Sequence, residues 1–238
     1  MGKKGRDTRI KRQLAPTFWA IRRKEGQFVM RVNPGPHPGK RAYPLGMVLR
    51  DVLKVASTGH EVDRILKAGK VKVDGVIRRD PNFAIGLMDV LELAMGQAYR
   101  MVPKNGVSLS PIAIEEAEKG LKLIKITSKT GIRGKKIQYG FHDSKTLISD
   151  QSLKVGDSCV VSLQAVNNIT SHIAFEKGAT ALIITGENAG AVGKIEDIQD
   201  GVFSLPKRAL VSFDDKSVEL PVEMVMVVGS DRPVIRVN

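Results

Sequence analysis

Apolar side chains recur at helical spacing over residues 45–56, and this is the clearest periodic pattern in the chain. Arg50 and Lys54 fall on the polar side of the predicted helix. The Ser-Thr-Gly sequence at residues 57–59 interrupts the pattern. The sequence therefore predicts an amphipathic helix that ends just before residue 57.

A second helix is predicted directly after this break. Thr58 is followed three residues later by Glu61, a spacing at which the two side chains cap each other's backbone N–H groups. Apolar residues within 62–66 supply a buried stripe, and Gly69 is placed to end the helix.

The next segment has the alternation of a β-hairpin. Apolar and polar residues alternate over 71–73, Asp74 and Gly75 form a two-residue turn signal, and apolar residues return at 76–77. A further strand is predicted over 88–93. Residues 43–93 are thus expected to form a helix–helix–hairpin unit.

Residues 105–172 are expected to be rich in β-structure. Apolar runs at 122–126 and 159–163 predict strands, and glycines punctuate the segment between them. Two interpretations of its basic loop remain open, contact with RNA or a solvated hairpin tip. The loop contains Lys129, Arg133, Lys135 and Lys136.

The last segment, residues 173–238, is predicted to be a small β-barrel. Short apolar strands at 181–186 and 189–195 are separated by glycine, which permits backbone angles and close approaches that other residues strain. The segment carries a net charge of −3. Its candidate turn comprises Gly186, Gly190, Gly193 and Lys194.

Charge is concentrated at the other end of the chain. Residues 1–41 carry +10 of the formal net charge of +13. Phe18, Trp19 and Phe28 are interleaved with the cations. A basic arm beside a nearly neutral body is typical of proteins that neutralise phosphates, although a solvated tail without a partner is the simpler alternative.

The arm ends in a proline- and glycine-rich connector over residues 33–41, which is expected to be extended and to expose His37 to solvent or RNA. We expect residues 1–41 to be poorly ordered until they lie along RNA, because their apolar surface is too small to offset the entropy of ordering. Trp19 would then stack on an unpaired base or anchor the arm to the body.

The sequence gives no sign of catalytic or cofactor chemistry. The four histidines lie far apart, no phosphate-binding loop is present, and the single cysteine, Cys159, sits in an apolar run that predicts a core position. No apolar run approaches the roughly 20 residues that span a bilayer. No metal, nucleotide, redox cofactor, small-molecule substrate or membrane partner is expected.

Residues 66–76 and the strand at 86–93 resemble the S-four RNA-binding module of ribosomal proteins and RNA-modifying enzymes. The glycine-centred sequence at 186–195 resembles a KOW motif on an SH3-like barrel. Residues 11–24 and the landmarks at 34–37 and 43–45 resemble those of the small-subunit ribosomal protein family S-four-e of archaea and eukaryotes. Eukaryotic members usually continue further at the C-terminus than Asn238, so the archaeal version is expected.

The resemblance implies an α+β, multidomain fold. We expect a basic arm and linker (1–42), an S-four-like module (43–104), a β-rich central domain (105–172) and a KOW-containing barrel (173–238). It also implies a cytoplasmic, non-catalytic constituent of the small ribosomal subunit, with ribosomal RNA and neighbouring ribosomal proteins as partners. The alternatives are an RNA-modifying enzyme, for which the central segment is too short, and a translation factor.

The expected RNA-binding residues are basic or aromatic side chains of the arm, the module and the central loop. They are Lys3, Lys4, Arg6, Arg9, Lys11, Arg12, Trp19, Arg22, Arg23, Lys24, Arg31, His37, Lys40, Arg41, Arg50, Lys54, Arg64, Lys67, Lys70, Lys72, Arg78, Arg79, Arg133, Lys135 and Lys136.

Overall fold

The computed structural model describes residues 8–22, 26–134, 136–149, 151–163, 169–213 and 216–237. Within these ranges the chain has an α+β fold in which strands far outnumber helices. Three five-stranded antiparallel sheets and two two-stranded ribbons are formed. None of the helices in these ranges is long and apolar enough to cross a membrane.

The described part of the arm is folded against the body. Strand β1 (Arg9–Lys11) pairs with β2 (Phe28–Met30), and single 3-10 turns lie at Arg12–Leu14 and Gly39–Arg41. The side chains of Ala15, Trp19 and Val32 are buried. The expectation of a poorly ordered arm is therefore wrong for these residues, because long-range packing supplies the apolar contacts that the segment lacks by itself.

The first predicted helix is shorter and less regular than expected. After β3 (Tyr43–Pro44), helix α1 (Leu45–Met47) continues into a π-helical turn (Val48–Val52), and Lys54 adopts a left-handed backbone with φ 53°. Leu45, Met47, Val48 and Leu49 are all buried, so apolar residues face the core on more than one side. Packing on several sides, rather than one amphipathic stripe, therefore determines the conformation of this segment.

Helix α2 (Gly59–Lys67) forms as the sequence predicts. The Thr58 hydroxyl accepts a hydrogen bond from the Glu61 N–H at 3.3 Å, and the Glu61 carboxylate accepts from the N–H groups of Ser57 and Thr58. Gly69, with φ 70°, lies just beyond its end. Local capping therefore sets both ends of this helix.

The predicted hairpin belongs to a sheet that is larger than expected. Asp74 and Gly75 make the tight turn, both with positive φ. The sheet continues past the boundary that we placed between residues 104 and 105, because its last two strands form one hairpin. Its order is β5 (Val76–Ile77), β4 (Val71–Val73), β7 (Val90–Leu93), β8 (Ala98–Lys104) and β9 (Val107–Ile114), and β6 (Ala84–Ile85) pairs separately with β3.

The central segment is β-rich, as predicted. After a 3-10 turn at Glu116–Glu118, a second sheet forms, and Cys159 lies buried in a small core of its own with Ile126 and Tyr139. The sheet order is β12 (Thr146–Ser149), β11 (Ile137–Phe141), β10 (Leu121–Gly131), β13 (Ser158–Ser162) and β14 (Ile169–Ile173).

The C-terminal segment forms the third sheet. A 3-10 turn at Val222–Met224 joins the two strands that come last in the chain. One continuous hydrophobic core joins this sheet to the arm and the first sheet, and Ile235 and Val237 are buried in it. The sheet order is β18 (Lys216–Pro221), β17 (Arg208–Phe213), β16 (Val192–Gln199), β15 (Thr180–Ile183) and β19 (Val225–Gly229).

Candidate nucleic-acid interface

Four exposed cations surround the end of helix α2 and the first strand of its hairpin. Lys67 lies in the last turn of α2, Lys70 follows it, and Lys72 is the outward-facing residue of β4. The Arg78 N–H donates to the Val71 carbonyl at 3.2 Å, which brings residues 78–79 alongside 70–72. Lys67, Lys70, Lys72 and Arg79 are all exposed, so this end of the module presents a cationic surface.

We call Lys67, Lys70, Lys72 and Arg79 the module cations. None of them forms an ion pair with a carboxylate among the residues that the structure describes. Four cations of the C-terminal segment differ, because they form ion pairs with carboxylates of that same segment. These pairs are Lys177–Asp197, Lys194–Asp231, Lys207–Asp200 and Arg208–Glu219.

Arg78, also predicted to bind RNA, has a packing role as well. Its guanidinium carbon lies 4.4 Å from the centre of the Phe83 ring, and its side chain is half-buried. Arg64 is exposed on α2. Arg50 donates two hydrogen bonds to Asp51 at 2.7 and 2.8 Å, and these neutralise much of its charge. Lys54 is exposed just after the π-helical turn.

The described cations of the arm are mostly exposed. Arg12 is the exception, since it is half-buried and donates to the Ile21 carbonyl at 3.0 Å. The exposed ones are Arg9, Lys11, Arg22, Arg31, Lys40 and Arg41. The predicted residues Lys3, Lys4, Arg6, Arg23, Lys24 and Lys135 lie outside the described residues.

Trp19 is placed in the core, which corrects its assignment to RNA binding. Its side chain is 3% exposed, its Nε1 donates to the Ala42 carbonyl at 2.9 Å, and its ring stacks on Tyr43 at 5.8 Å between centres. The Tyr43 hydroxyl in turn donates to the Phe18 carbonyl at 2.8 Å. Trp19 therefore anchors the arm to the body, the second of the two roles left open by the sequence.

His37 is also buried, contrary to the expectation of a solvated or RNA-facing side chain. Only 4% of it is exposed, and its Nε2 lies 3.0 Å from an Asp89 carboxylate oxygen. The proline-rich connector carries it under the module rather than over the surface. A Cβ atom on Gly86 would lie 2.3 Å from the His37 ring, so the glycine leaves the room that this packing needs.

Arg133 and Lys136 are exposed at the tip of the β10–β11 hairpin, where the Ile132 N–H donates to the Lys136 carbonyl. This placement is compatible with either interpretation of the basic loop.

The glycine-centred turn of the C-terminal segment packs on the first sheet. A Cβ atom on Gly190, whose φ is 94°, would lie 2.7 Å from the Lys104 Cα atom. One on Gly193 would lie 2.1 Å from the Ser212 carbonyl oxygen of the neighbouring strand. Gly186 is exposed in the turn, and exposed Lys194 follows on β16. Two of the three glycines therefore serve backbone packing.

Sequence reasoning missed a buried ionic cluster between the module and the central sheet. The Lys122 ammonium lies 2.6 Å from Asp74, 2.6 Å from Asp89 and 3.2 Å from Asp143. Burial alone would lower the pKa of Lys122, but the three carboxylates outweigh it and raise the pKa well above its usual range. Burial opposes ionisation of Asp89 as well, yet Lys122 and His37 hold its pKa well below the usual value.

Two further buried cations join segments through carbonyl groups. Arg100 donates to the carbonyls of Glu118, Leu121 and Arg236 at 3.1–3.2 Å and forms an ion pair with the Glu118 carboxylate. Lys125 donates to the carbonyls of Val222 and Val225 at 2.6 and 2.7 Å. No local pattern in the sequence marks these cations as internal. Within the described ranges, no cluster of three or more potential metal ligands is found.

The fold and its cationic surface define a protein of the S-four-module class. Family models match three stretches of the chain: the RS4NT (NUC023) domain at residues 4–40, the S4 domain at 47–91, and the ribosomal family S4e at 95–167. Together these cover most of the arm, the module and the central segment.

Archaeal ribosomal proteins are similar over nearly the whole chain. The small ribosomal subunit protein eS4 of Pyrobaculum islandicum is 40% identical, covering 96% of this chain and 98% of its own. That of Korarchaeum cryptofilum is 34% identical over the full length of both. The crystal structure of the 30S ribosomal protein S4e from Thermoplasma acidophilum has 34% identity and a TM-score of 0.68, covering 80% of this chain and 96% of that one. The chain belongs to the S4e family of ribosomal proteins, which confirms the resemblance inferred from its sequence.

Proposed function

We propose that this protein is a structural, RNA-binding constituent of the small ribosomal subunit in the cytoplasm. Membership of a ribosomal protein family assigns it a structural and not a catalytic role. The assignment of the module cations to RNA binding rests on one contrast, the presence or absence of a carboxylate partner. The module cations have no carboxylate partners among the described residues, whereas four cations of the C-terminal segment are ion-paired.

The module cations are arranged for contact with phosphates rather than bases. Lysine and arginine on a rigid helix end and hairpin neutralise the backbone of RNA and release counterions. Exposed arm cations such as Arg9, Lys11 and Lys40 are further candidates for contact with phosphates. Because these contacts carry little sequence information, we expect recognition to follow the shape of the RNA.

We further propose that the C-terminal sheet is an SH3-like barrel whose turn at 186–195 is a KOW motif. Its five antiparallel strands and close glycine contacts support this. Its paired charges and net −3 make neighbouring ribosomal proteins the partners that we expect on this side. We also retain the division into four parts, with the module extended from residue 104 to 114 because the β8–β9 hairpin crosses the original boundary.

The test compares two variants with identical changes in charge. One replaces Lys67, Lys70, Lys72 and Arg79 by glutamine, and the other replaces Lys177, Lys194, Lys207 and Arg208. Binding to small-subunit ribosomal RNA is measured by filter retention as a function of salt. The module variant should flatten the plot of log K against log salt by about 3 units, since each phosphate contact contributes roughly 0.7 to 0.9.

The C-terminal variant should keep most of the wild-type slope. Equal losses from the two variants would mean that net charge alone matters and would contradict the assigned surface. A wild-type protein that failed to sediment with small subunits at high salt would contradict the ribosomal role itself.

A further inference from the structure

A cavity of about 580 Å³ opens where all four segments of the protein meet. Phe18 of the arm, Leu87 and Leu109 of the first sheet segment, Ile126 of the central sheet and Ile184 of the C-terminal segment line it. Sites for small organic groups usually measure about 300–1,000 Å³ and lie at such junctions, with apolar walls and a few polar groups. The cavity therefore has the size and position of a binding site.

The walls of the cavity carry an excess of positive charge. Exposed Lys40 and Arg41 and buried Lys125 line it, and among the described residues Glu223 is the one acidic side chain of the lining. Lys125 is bonded to carbonyl groups rather than to a carboxylate. Burial lowers its pKa to about 8, an effect that Glu223 opposes and Arg41 strengthens. A negatively charged group at the mouth would relieve this excess.

The two histidines of the cavity add little to this charge. The Lys125 N–H donates to His142 Nδ1 at 3.1 Å, and His142 Nε2 lies 3.1 Å from the Leu87 carbonyl, so the ring is held as the neutral form with its proton on Nε2. Burial lowers the pKa of His142 to about 4. His37 is paired with Asp89. The cavity is therefore largely apolar, with buried Lys125 in its wall and the exposed cations Lys40 and Arg41 beside it.

We propose that the cavity takes one unpaired nucleotide of the bound RNA, with its base against the apolar wall and its phosphate toward Lys40 and Arg41. This inference rests on the proposed RNA-binding function. Proteins commonly recognise RNA through bases that are splayed out and packed on aromatic side chains, a role for which Phe18 is available. The hydroxyls of Ser108, Thr127 and Thr185 also line the cavity and can bond to base edges.

Site-specific photo-cross-linking in the full-length protein tests the proposal. A photoreactive amino acid replaces Val155, which lines the cavity and is 55% exposed, or Ile148, which is 54% exposed in the same domain but does not line it. With ribosomal RNA bound, the Val155 probe should cross-link to a single unpaired nucleotide. The Ile148 probe should not cross-link to that nucleotide.

A second substitution blocks the cavity. Ser108→Trp on β9 fills it, and Ser110→Trp is the matched control on the same strand, outside the lining residues. Ser108→Trp should abolish the Val155 cross-link and weaken RNA binding by about 5- to 150-fold, the range for loss of one stacked base. Ser110→Trp should leave both unchanged.

Two outcomes would overturn the proposal while leaving the proposed function intact. One is full RNA retention with no Val155 cross-link, or with a cross-link that Ser108→Trp does not remove. The other is a cross-link to added free nucleoside monophosphates, or to a co-purified protein, but not to RNA. If the wild-type protein retained no RNA in the same assay, the proposed function would fail as well, and filter retention separates these cases.

Discussion

Lys122 on β10 and Asp89 of the S-four module form a buried ion pair, with Nζ 2.6 Å from Oδ1 and both side chains at most 2% exposed. Asp89 also accepts from the Gly86 N–H at 2.9 Å and contacts His37 at 3.0 Å. This carboxylate therefore holds the connector of the arm, the module and the central sheet together. A buried ionic cluster of this kind stabilises the fold only while every charge has its partner, because an unpaired buried charge is destabilising.

Replacing Lys122 by methionine should be severely destabilising. The change leaves Asp74, Asp89 and Asp143 close together without their shared cation, and breaking a buried pair in this way costs about 3–5 kcal/mol. Urea unfolding followed by circular dichroism measures the loss. Exposed Lys154→Met is the matched control and should change stability by less than about 0.5 kcal/mol. A loss below about 1 kcal/mol for Lys122→Met would show that the cluster does not hold the domains together.

Stability should fall between pH 6.5 and pH 4 because of His142. Burial, reinforced by Lys122 and His37 and opposed by Asp143, lowers its pKa from 6.5 to about 4 in the folded state. The unfolded chain therefore binds the proton first as pH decreases, and stability is lost through this window. The loss at full extent is roughly 3 kcal/mol. Asp89 adds to this slope only below about pH 5, where the unfolded chain begins to bind protons at that carboxyl while the folded chain does not.

The contribution of His142 is isolated by His142→Gln, which retains a side-chain N–H donor for the Leu87 carbonyl. The midpoint of urea unfolding is measured from pH 7 to pH 4.5. His142→Gln should have a visibly smaller pH dependence than the wild type, while exposed His60→Gln on α2 should not. The same pH dependence in all three proteins would rule out His142 as the titrating group.

Gly190→Ala should disrupt the contact between the C-terminal turn and the β8–β9 hairpin. A Cβ atom there would lie 2.7 Å from Lys104 Cα, in addition to the strain of a φ of 94°. Gly178→Ala is the control, because its φ of 87° gives similar strain but its Cβ would meet nothing within 4 Å. Urea unfolding should show a loss of about 1 kcal/mol for Gly178→Ala and a clearly larger one for Gly190→Ala. Equal losses would mean that backbone strain alone explains both.

Trp19→Ala should release the arm from the body. The substitution removes the stacking on Tyr43 and the hydrogen bond to Ala42, and truncating a buried aromatic residue costs about 3–5 kcal/mol. Limited trypsin digestion should then cleave after Arg22 or Arg31 much faster than in the wild type. Phe28→Ala, at a half-exposed aromatic of the same arm, should leave the rate close to the wild-type value. Unchanged cleavage in Trp19→Ala would contradict the anchoring role.

The parts of the fold that the sequence predicts correctly have short-range causes. The capping of α2 by Thr58 and Glu61 and the turn at Asp74 involve residues a few positions apart. Trp19 is predicted to bind RNA because no local pattern reveals its contact with Ala42, which lies 23 residues away. His37 was misassigned for a similar reason, since Asp89 is 52 residues away. Composition and charge alone therefore predict that the arm lies on the surface.

The buried cations escaped prediction for a related reason. Alternation of apolar and polar residues identifies a strand with one solvent-exposed face, but both faces of β10 are buried over residues 122–126. Lys122 and Lys125 are three positions apart and therefore lie on opposite faces of β10, and both are internal. Their partners lie in segments as far away as Asp74 and Val225. Only the fold brings these groups together.

The hydrogen bond from buried Arg100 to the carbonyl of Arg236 can form only late in the synthesis of the chain. The two residues are 136 positions apart. Ribosomes add roughly 5–20 residues per second, so a nascent chain waits about 7 to 27 s between the two. During that interval the guanidinium lacks one of its acceptors, and Ile235 and Val237 have not yet covered the core. The module therefore gains this acceptor and the last part of its core only after the C-terminal residues have been made.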